Sequence, residues 1–303
     1  MGVGKPLWLK RRIPVGHAIQ NYALVKTTLE SLGLNTVCEE AKCPNSSECW
    51  GGGTATFMVM GDECTRGCRF CNVKTRRNPK ALDPFEPFKL VQAVKVFGLK
   101  YVVITSVDRD DLPDQGAGHF ARCIAEIKKQ LPGMLVEVLT PDFRGEKRLV
   151  QEVAAALPHV YAHNLETTRE LQQGVRDPRA GYEQSLSVLK AVKEFDSRIY
   201  TKSSLMLGLG EREADVLQAM DDLRGVGCDV LTLGQYLQPS KLHLPVKEFV
   251  SPERFEWYRQ RALERGFLYV ASGPFVRSSY KAGELFLEGV IRAGKQVGAE
   301  QRA

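Results

Sequence analysis

No stretch of this chain stays apolar for anything near the ~20 residues that a membrane helix needs, so no membrane span is expected. Met1 to Arg12 carry basic side chains, but no apolar core follows them, so a secretory signal is not expected either. Histidine is scarce, with five in 303 residues, and His119, His159 and His243 show no spacing that would pair them as metal ligands. They read as structural or exposed. There is no low-complexity segment and no block of one charge. The net charge of +6 comes from basic residues spread along the chain, which does not imply nucleic acid. Without a signal, a disulfide framework in a chain this long is not expected. The eight cysteines therefore point to a reduced, cytoplasmic protein with metal-bound thiolates.

Six of those eight cysteines fall between positions 38 and 71, in two groups of three. The second group is Cys64-Thr-Arg-Gly-Cys68-Arg-Phe-Cys71, in which Gly67 lets the backbone turn. A loop this short can aim its three thiols only at one small object. Thr56 to Met60 before it read as an apolar strand, so the loop sits at a strand's end. Three converging thiolates suit a metal or an iron–sulfur cube. A structural zinc site would need a fourth ligand, and none lies in the loop. A four-iron cube held by three ligands keeps one iron open to a substrate. The spacing C-x3-C-x2-C, with Phe70 before the last cysteine, resembles the signature of the radical SAM enzymes; the alternative is a zinc knuckle. The first group, Cys38-Glu-Glu-Ala-Lys-Cys43-Pro-Asn-Ser-Ser-Glu-Cys49, is C-x4-C-x5-C in a loop. It too lacks a near fourth ligand, His17 being remote, and its alternative is a zinc loop completed from elsewhere.

The 43% hydrophobic content allows a sizeable core, and 26% charged residues is ordinary for a soluble chain. Residues 1–17 read as an extended arm. Apolar residues at 19, 22, 25, 29 and 32 predict a helix that stops at Gly33. From Thr54 onward, strands are expected at Thr56–Met60, Tyr101–Thr105, Leu135–Leu139, Val160–Leu165, Ile199–Leu205 and Val230–Leu233. Helices are expected between them at Leu90–Phe97, Phe120–Gln130, Lys147–Ala156, Tyr182–Phe195 and Glu213–Val226. Ser251-Pro252 predicts a capped helix running to Arg265, and Phe267–Ala271 one more strand. The fold class is α/β, a partial (β/α)6 TIM-like barrel with one side left open for a large substrate, and its chemistry should collect at the carboxyl ends of the strands. Three parts are expected: residues 1–53 as an arm and thiol loop, 54–239 as the barrel, and 240–303 as an extension. Cys123 and Cys228 read as small buried residues.

Several strings together resemble the lipoyl synthases. They are Thr36-Val-Cys-Glu-Glu-Ala-Lys-Cys-Pro-Asn, Glu48-Cys-Trp, the second thiol loop, Thr105-Ser-Val-Asp-Arg-Asp-Asp-Leu112, His163-Asn-Leu-Glu-Thr167, Lys202 to Glu211, Gln235-Tyr-Leu-Gln-Pro239 and Arg277-Ser-Ser-Tyr280. The resemblance implies two 4Fe-4S clusters and S-adenosyl-L-methionine as cosubstrate. Cys64, Cys68 and Cys71 would hold the cluster that binds S-adenosylmethionine, and the 5′-deoxyadenosyl radical formed there would take hydrogen from C6 and C8 of an octanoyl chain. Cys38, Cys43, Cys49 and a serine would hold the second, auxiliary cluster, which is consumed as the sulfur source. Position favours Ser279 over Ser278, although the residues alone would make both a polar loop. A hard alkoxide is an easier ligand to lose than a fourth thiolate.

For the cosubstrate, Phe70 would pack on the adenine, or else be a core aromatic. Asn164 and Glu166 would bind the ribose or methionyl groups, or else form a satisfied strand-end loop. Ser106 and Asp108 would meet the methionyl amine, and Arg176 would pair with the methionyl carboxylate, or else be a solvated surface charge. Ser203, Met206 and Gly208 are placed at the fifth strand end, with Met206 read as core rather than a ligand contact, and Asp108 to Asp111 partly in a solvated turn. The partners implied are octanoylated lipoyl carrier domains (the glycine cleavage H protein and 2-oxoacid dehydrogenase E2 subunits) and a ferredoxin or flavodoxin as electron donor. No nucleic acid and no membrane is involved, and a monomer is expected.

Overall fold

The computed structural model describes residues 6–9, 17–51, 56–279 and 289. Most of the expected N-terminal arm, Gly52-Gly53, Tyr280 and the last helical stretch lie outside the described residues. The elements run in the order α1 (His17–Leu32), β1 (Asn35–Thr36), α2 (Val37–Glu40), α3 (Ser46–Gly51), β2 (Thr56–Val59), β3 (Glu63–Cys64), β4 (Lys74–Thr75), α4 (Glu86–Phe97), β5 (Tyr101–Ser106), α5 (Ala117–Gln130) and β6 (Leu135–Leu139). They continue with α6 (Lys147–Ala155), β7 (Val160–Ala162), α7 (Gln172–Val175), α8 (Tyr182–Phe195), β8 (Tyr200–Leu207), α9 (Glu213–Gly225), β9 (Val230–Gln235), α10 (Pro252–Glu264) and β10 (Tyr269–Gly273).

The main sheet has the order β1-β2-β5-β6-β7-β8-β9-β10. Every neighbouring pair from β2 onward is parallel, and β1 runs antiparallel along β2. This is the partial barrel expected of strands alternating with crossover helices. The strands are buried along nearly their whole length, as parallel strands covered on both faces must be. β1 and β10 lie outside residues 54–239, yet they bond to β2 and β9 and extend the same sheet.

The helices sit where periodicity placed them. α1 turns Val25 and Leu29 into the core while Ile19 stays exposed, and Gly33 stops it with a left-handed φ of 63°. Ser251 caps α10 by accepting a hydrogen bond from the Arg254 N–H, with Pro252 in the first turn. Among the described residues no helix is long and apolar enough to cross a membrane.

Two expectations need correction. The fourth strand ends at Ala162 rather than Leu165. Beyond it the chain leaves the ladder: the Leu165 N–H donates to Ser203 Oγ, and Glu166 takes a φ of 70° and bridges Leu205. That departure places Asn164 and Glu166 at the mouth of the barrel. The segment from Cys38 to Cys49 is also not a plain loop, because it holds α2 and α3. Thr36 caps α2 through its hydroxyl, and helices this short carry no hydrophobic period to detect.

Deep in the barrel, Lys202 Nζ donates to both carboxylate oxygens of Glu137 at 2.8 and 3.0 Å, and Tyr101 OH donates to Glu137 at 2.6 Å. These buried charges stand as a satisfied set toward the amino ends of the strands. The opposite, carboxyl ends surround a cavity.

Candidate active site

The Cys64–Cys71 loop is pinned by carboxylates at the ends of neighbouring strands. Thr65 N–H donates to the Asp108 carbonyl at 3.0 Å, and its hydroxyl donates to Asp110 at 2.8 Å. The Arg66 guanidinium is buried. It donates to both oxygens of Asp110 at 2.9 Å and to Asp142 at 2.7 Å. Gly67 N–H donates to Asp177 at 2.8 Å, Arg69 N–H to the Val175 carbonyl at 3.0 Å, and His243 Nε2 to the Cys71 carbonyl at 2.9 Å. Burial works to raise the Asp110 carboxyl, but hydrogen bonds from Arg66, Thr65 and Arg144 outweigh it and hold the group well below the usual carboxylate range.

Replacing Arg66 by methionine would leave Asp142 buried without its ion-pair partner and Asp110 held only by Arg144 and Arg179. A loss of about 3–5 kcal/mol in folding stability is expected, read from chemical denaturation of the full chain. A loss under ~1 kcal/mol would show that the guanidinium does not clamp the loop.

Each thiol has a defined seat. The N–H groups of Arg66 and Asp108 both lie 3.4 Å from Cys64 Sγ, and the Asp177 N–H lies 3.3 Å from Cys68 Sγ. Such donors favour thiolate, but burial dominates. It pushes Cys71 up to about 12, and it also raises Cys64 and Cys68. These sulfurs lose their protons when a cation arrives to bind them.

The other trio is built on α2 and α3. Cys38 sits on α2, Cys49 on α3 and Cys43 between them, with the Cys43 N–H on the Cys38 carbonyl at 3.0 Å. Burial pushes Cys38 up to about 11. Trp50 is fully buried against Tyr22 of α1, with ring centroids 4.9 Å apart, and so fastens α3 to the body. The Asn72 side-chain amide donates to the Glu40 carbonyl at 2.7 Å and links the two thiol loops. None of the eight cysteines is in a disulfide, and Cys123 and Cys228 are fully buried in the core.

The loop that follows β10 carries the two serines. It rests on Gly234 of β9, where a Cβ would fall 2.2 Å from the Val276 carbonyl oxygen, so any side chain there would displace the loop.

All six clustered cysteines, together with Ser278 and Ser279, line a single cavity of about 540 Å³. Phe70, Ser106, Asp108, Asn164, Glu166 and Arg176 line it as well. Phe70 also packs with Val175, Leu209 and Tyr236, so it joins a small apolar cluster and reaches the cavity. Asn164 donates to Glu166 at 3.0 Å, and burial raises the Glu166 carboxyl. Arg176 donates to Ser185 Oγ at 2.7 Å.

Buried polar atoms without a hydrogen-bond partner gather in this wall: Ser106 Oγ, Thr140 Oγ1, His163 Nε2, Asn164 Oδ1 and Arg176 Nε. Buried polar groups are seldom left unpaired. This mixture of donors and acceptors fits a cosubstrate carrying an ammonium, a carboxylate and hydroxyls. Among the described residues no three His, Cys, Asp or Glu side chains gather closely enough to hold a single metal ion. The thiols are set instead around a space that suits a larger group.

Several residues escape a reading of the sequence. His163 is buried, and its Nδ1 donates to the Thr140 carbonyl at 2.9 Å, leaving Nε2 as an acceptor. Burial, aided by Arg176, lowers it to about 4, so the ring is neutral. Only its place beside Asn164 at a strand end could have flagged it. Of Asp108 to Asp111, only the Asp110–Asp111 turn reaches solvent, through Asp111. Arg109 is 2% exposed and Asp110 is buried within the clamp on the thiol loop. Ser203 supports the end of β7 rather than the cavity, and Met206 lines the cavity.

Comparison with known proteins follows the same lines. The model for the radical SAM superfamily matches residues 58–223, and that for the N-terminal domain of lipoyl synthase of the radical SAM family matches residues 3–43. The chain is 59% identical over 293 residues to the lipoyl synthase of Anaeromyxobacter dehalogenans, covering 97% of this chain and 98% of that one. It is 58% identical to the lipoyl synthase of Halobacterium salinarum, covering 98% and 96%. It is 56% identical to the mitochondrial lipoyl synthase of Danio rerio, covering 96% and 73%. Among solved structures it superposes on methylornithine synthase with a TM-score of 0.53 at 12% identity, covering 88% of this chain and 82% of that one. It superposes on the FeFe-hydrogenase maturase HydG of Carboxydothermus hydrogenoformans with a TM-score of 0.54 at 11% identity, covering 91% and 84%. These two share the fold. The extent and identity of the sequence matches go further, and the chain belongs to the lipoyl synthase family of radical SAM enzymes.

Proposed function

We propose that the two cysteine trios divide the work of lipoyl synthesis between them. The reaction inserts two sulfur atoms, at C6 and C8 of an octanoyl group held on a lysine of a lipoyl carrier domain. When bound, the first 4Fe-4S cluster supplies the electron that splits S-adenosylmethionine into a hydrogen-abstracting radical, and the second supplies the sulfur.

Cys64, Cys68 and Cys71 hold the first cluster, and Cys38, Cys43, Cys49 and Ser279 hold the second. Arg176 turns a guanidinium to the methionyl carboxylate, with its Nε still free to donate. Ser106 and Asp108 take the amine. Asn164 and Glu166 take the ribose, and Phe70 covers the adenine. His163 offers a neutral acceptor at the same wall. The apolar part of the lining, including Val107, Leu139 and Leu205, keeps water from a reacting alkyl chain.

The observation that carries this reading is that both trios, both serines and the unpartnered polar atoms face one cavity. Radical generation and sulfur donation need to reach the same carbon, and one shared chamber allows that.

The test is turnover of an octanoylated lysine peptide by the reconstituted chain without oxygen, followed by mass spectrometry. Products carrying first one and then two sulfurs are expected. A peptide that stays unmodified while S-adenosylmethionine is cleaved would overturn the reading.

The carriers would be the glycine cleavage H protein and the E2 subunits of 2-oxoacid dehydrogenases, and electrons would come from a ferredoxin or flavodoxin. The net charge of +6 would steer acidic partners to this surface. A monomer in a reducing compartment, the cytoplasm in a bacterium or archaeon, completes the proposal. Its parts are residues 1–53 for the auxiliary thiols, 54–239 for the barrel and 240–303 for the serine motif.

A further inference from the structure

Asn45 stands between Cys43 and Cys49 and is 1% exposed. Its backbone carbonyl accepts hydrogen bonds from the Glu48 and Cys49 N–H groups at 3.0 and 2.9 Å, so it fixes the backbone that carries Cys49. Its side chain points elsewhere. Nδ2 donates to the Phe275 carbonyl at 2.7 Å, across 230 residues of sequence. Phe275 lies four residues before Ser279, in the loop that otherwise rests on Gly234 through Val276. The other arm of the amide, Oδ1, is buried without a partner, and Asn45 lines the cavity. One side-chain hydrogen bond therefore clasps the serine loop to the auxiliary thiol loop.

We propose that Asn45 is a positioning residue that sets how firmly Ser279 holds its iron at the auxiliary trio. The inference rests on Ser279 as the fourth ligand there. A single amide–carbonyl bond shifts an equilibrium by roughly five- to tenfold. That is enough to hold the loop in the resting protein and little enough for the loop to let go when the iron must leave.

The experiment uses the full chain carrying Cys68→Ala, so that only the auxiliary cube loads and the open iron of the other trio is absent, reconstituted with iron and sulfide without oxygen, then reduced. A colour-forming ferrous chelator reads the rate at which the first iron is withdrawn, and Mössbauer spectra read the site that is not held by three sulfides and a thiolate. Asn45→Ala should speed the first withdrawal about five- to tenfold. Asn45→Asp keeps the shape, cannot donate, and should behave the same way. Asn45→Gln keeps the donor and should recover part of the hold. Iron and sulfide contents after reconstitution, measured in all variants, separate loosening from failure to load.

Ser279→Ala should itself speed withdrawal and change the Mössbauer signature, and adding Asn45→Ala to it should then change nothing. An unchanged rate in both Asn45→Ala and Asn45→Asp would overturn the clasp while leaving the ligand standing. An Asn45 effect that persists in full without the serine hydroxyl would overturn it too. If Ser279→Ala alone leaves rate and spectrum unchanged, the ligand assignment fails and the inference falls with it.

Discussion

Replacing Cys68 by alanine is expected to reduce S-adenosylmethionine cleavage to the level of an enzyme-free mixture. Cys68 is the middle thiol of its loop, and its sulfur sits 3.3 Å from the Asp177 N–H. The loop does not depend on that sulfur for its shape. Gly67 stays bonded to Asp177, Arg69 to Val175, and Arg66 to Asp110 and Asp142. The substitution thus removes a donor and leaves the neighbours in place, so neither Cys64 nor Cys71 can move to replace it. The iron content should fall by one cube, while the auxiliary trio still loads. The measurement is 5′-deoxyadenosine formed under reducing conditions, beside iron and sulfide content. Cleavage within about tenfold of the unmodified chain would mean that this trio does not carry the radical chemistry, because an open coordination position needs all three ligands.

Cys43→Ala should give the opposite pattern. S-adenosylmethionine cleavage should persist, and sulfur insertion into an octanoylated peptide should fall by at least about a hundredfold, the scale that removing even an outer-shell partner of a metal ligand reaches. The two halves separate because their supports differ. The Cys64–Cys71 loop is held by Asp110, Asp142, Asp177 and Val175 on the barrel. The Cys38–Cys49 segment is held by Thr36, by Trp50 against Tyr22, and by the Cys43–Cys38 backbone bond. Their direct tie is Asn72 to the Glu40 carbonyl, and Cys43 is not part of it. Separate assays for 5′-deoxyadenosine and for sulfur-bearing peptide read the two outcomes. Sulfur insertion at an undiminished rate by this variant would refute the donor role of the auxiliary trio.

The elements were legible to within a few residues because each rests on a short-range pattern. α8 spans Tyr182–Phe195 as its periodicity predicts. The β6 strand, Leu135–Leu139, is a short run of branched apolar residues broken only by Glu137. Both trios could be read because their chemistry lies within eight and twelve residues of chain. The failures have a common cause. Asp110 and Arg109 sit in an acidic run that reads as solvated, and only a partner 44 residues away in sequence makes Asp110 a buried clamp. Val160–Leu165 reads as one β-rich run, yet the strand ends at Ala162 and Ser203 on the next strand takes the Leu165 N–H. α2 and α3 are too short to show a period.

By itself the sequence determined the alternation of strand and helix, the six clustered thiols, and the serines that resemblance singled out. All of these depend on residue type at close spacing. The tertiary structure alone decided that two thiol loops and a C-terminal serine loop open into one chamber. It also decided that Arg66 is buried between two carboxylates and that Asn45 reaches Phe275. Those outcomes depend on which strand lies beside which and on how far side chains reach across the barrel mouth. The parallel ladder settles both, because it brings the carboxyl ends of distant segments to one edge.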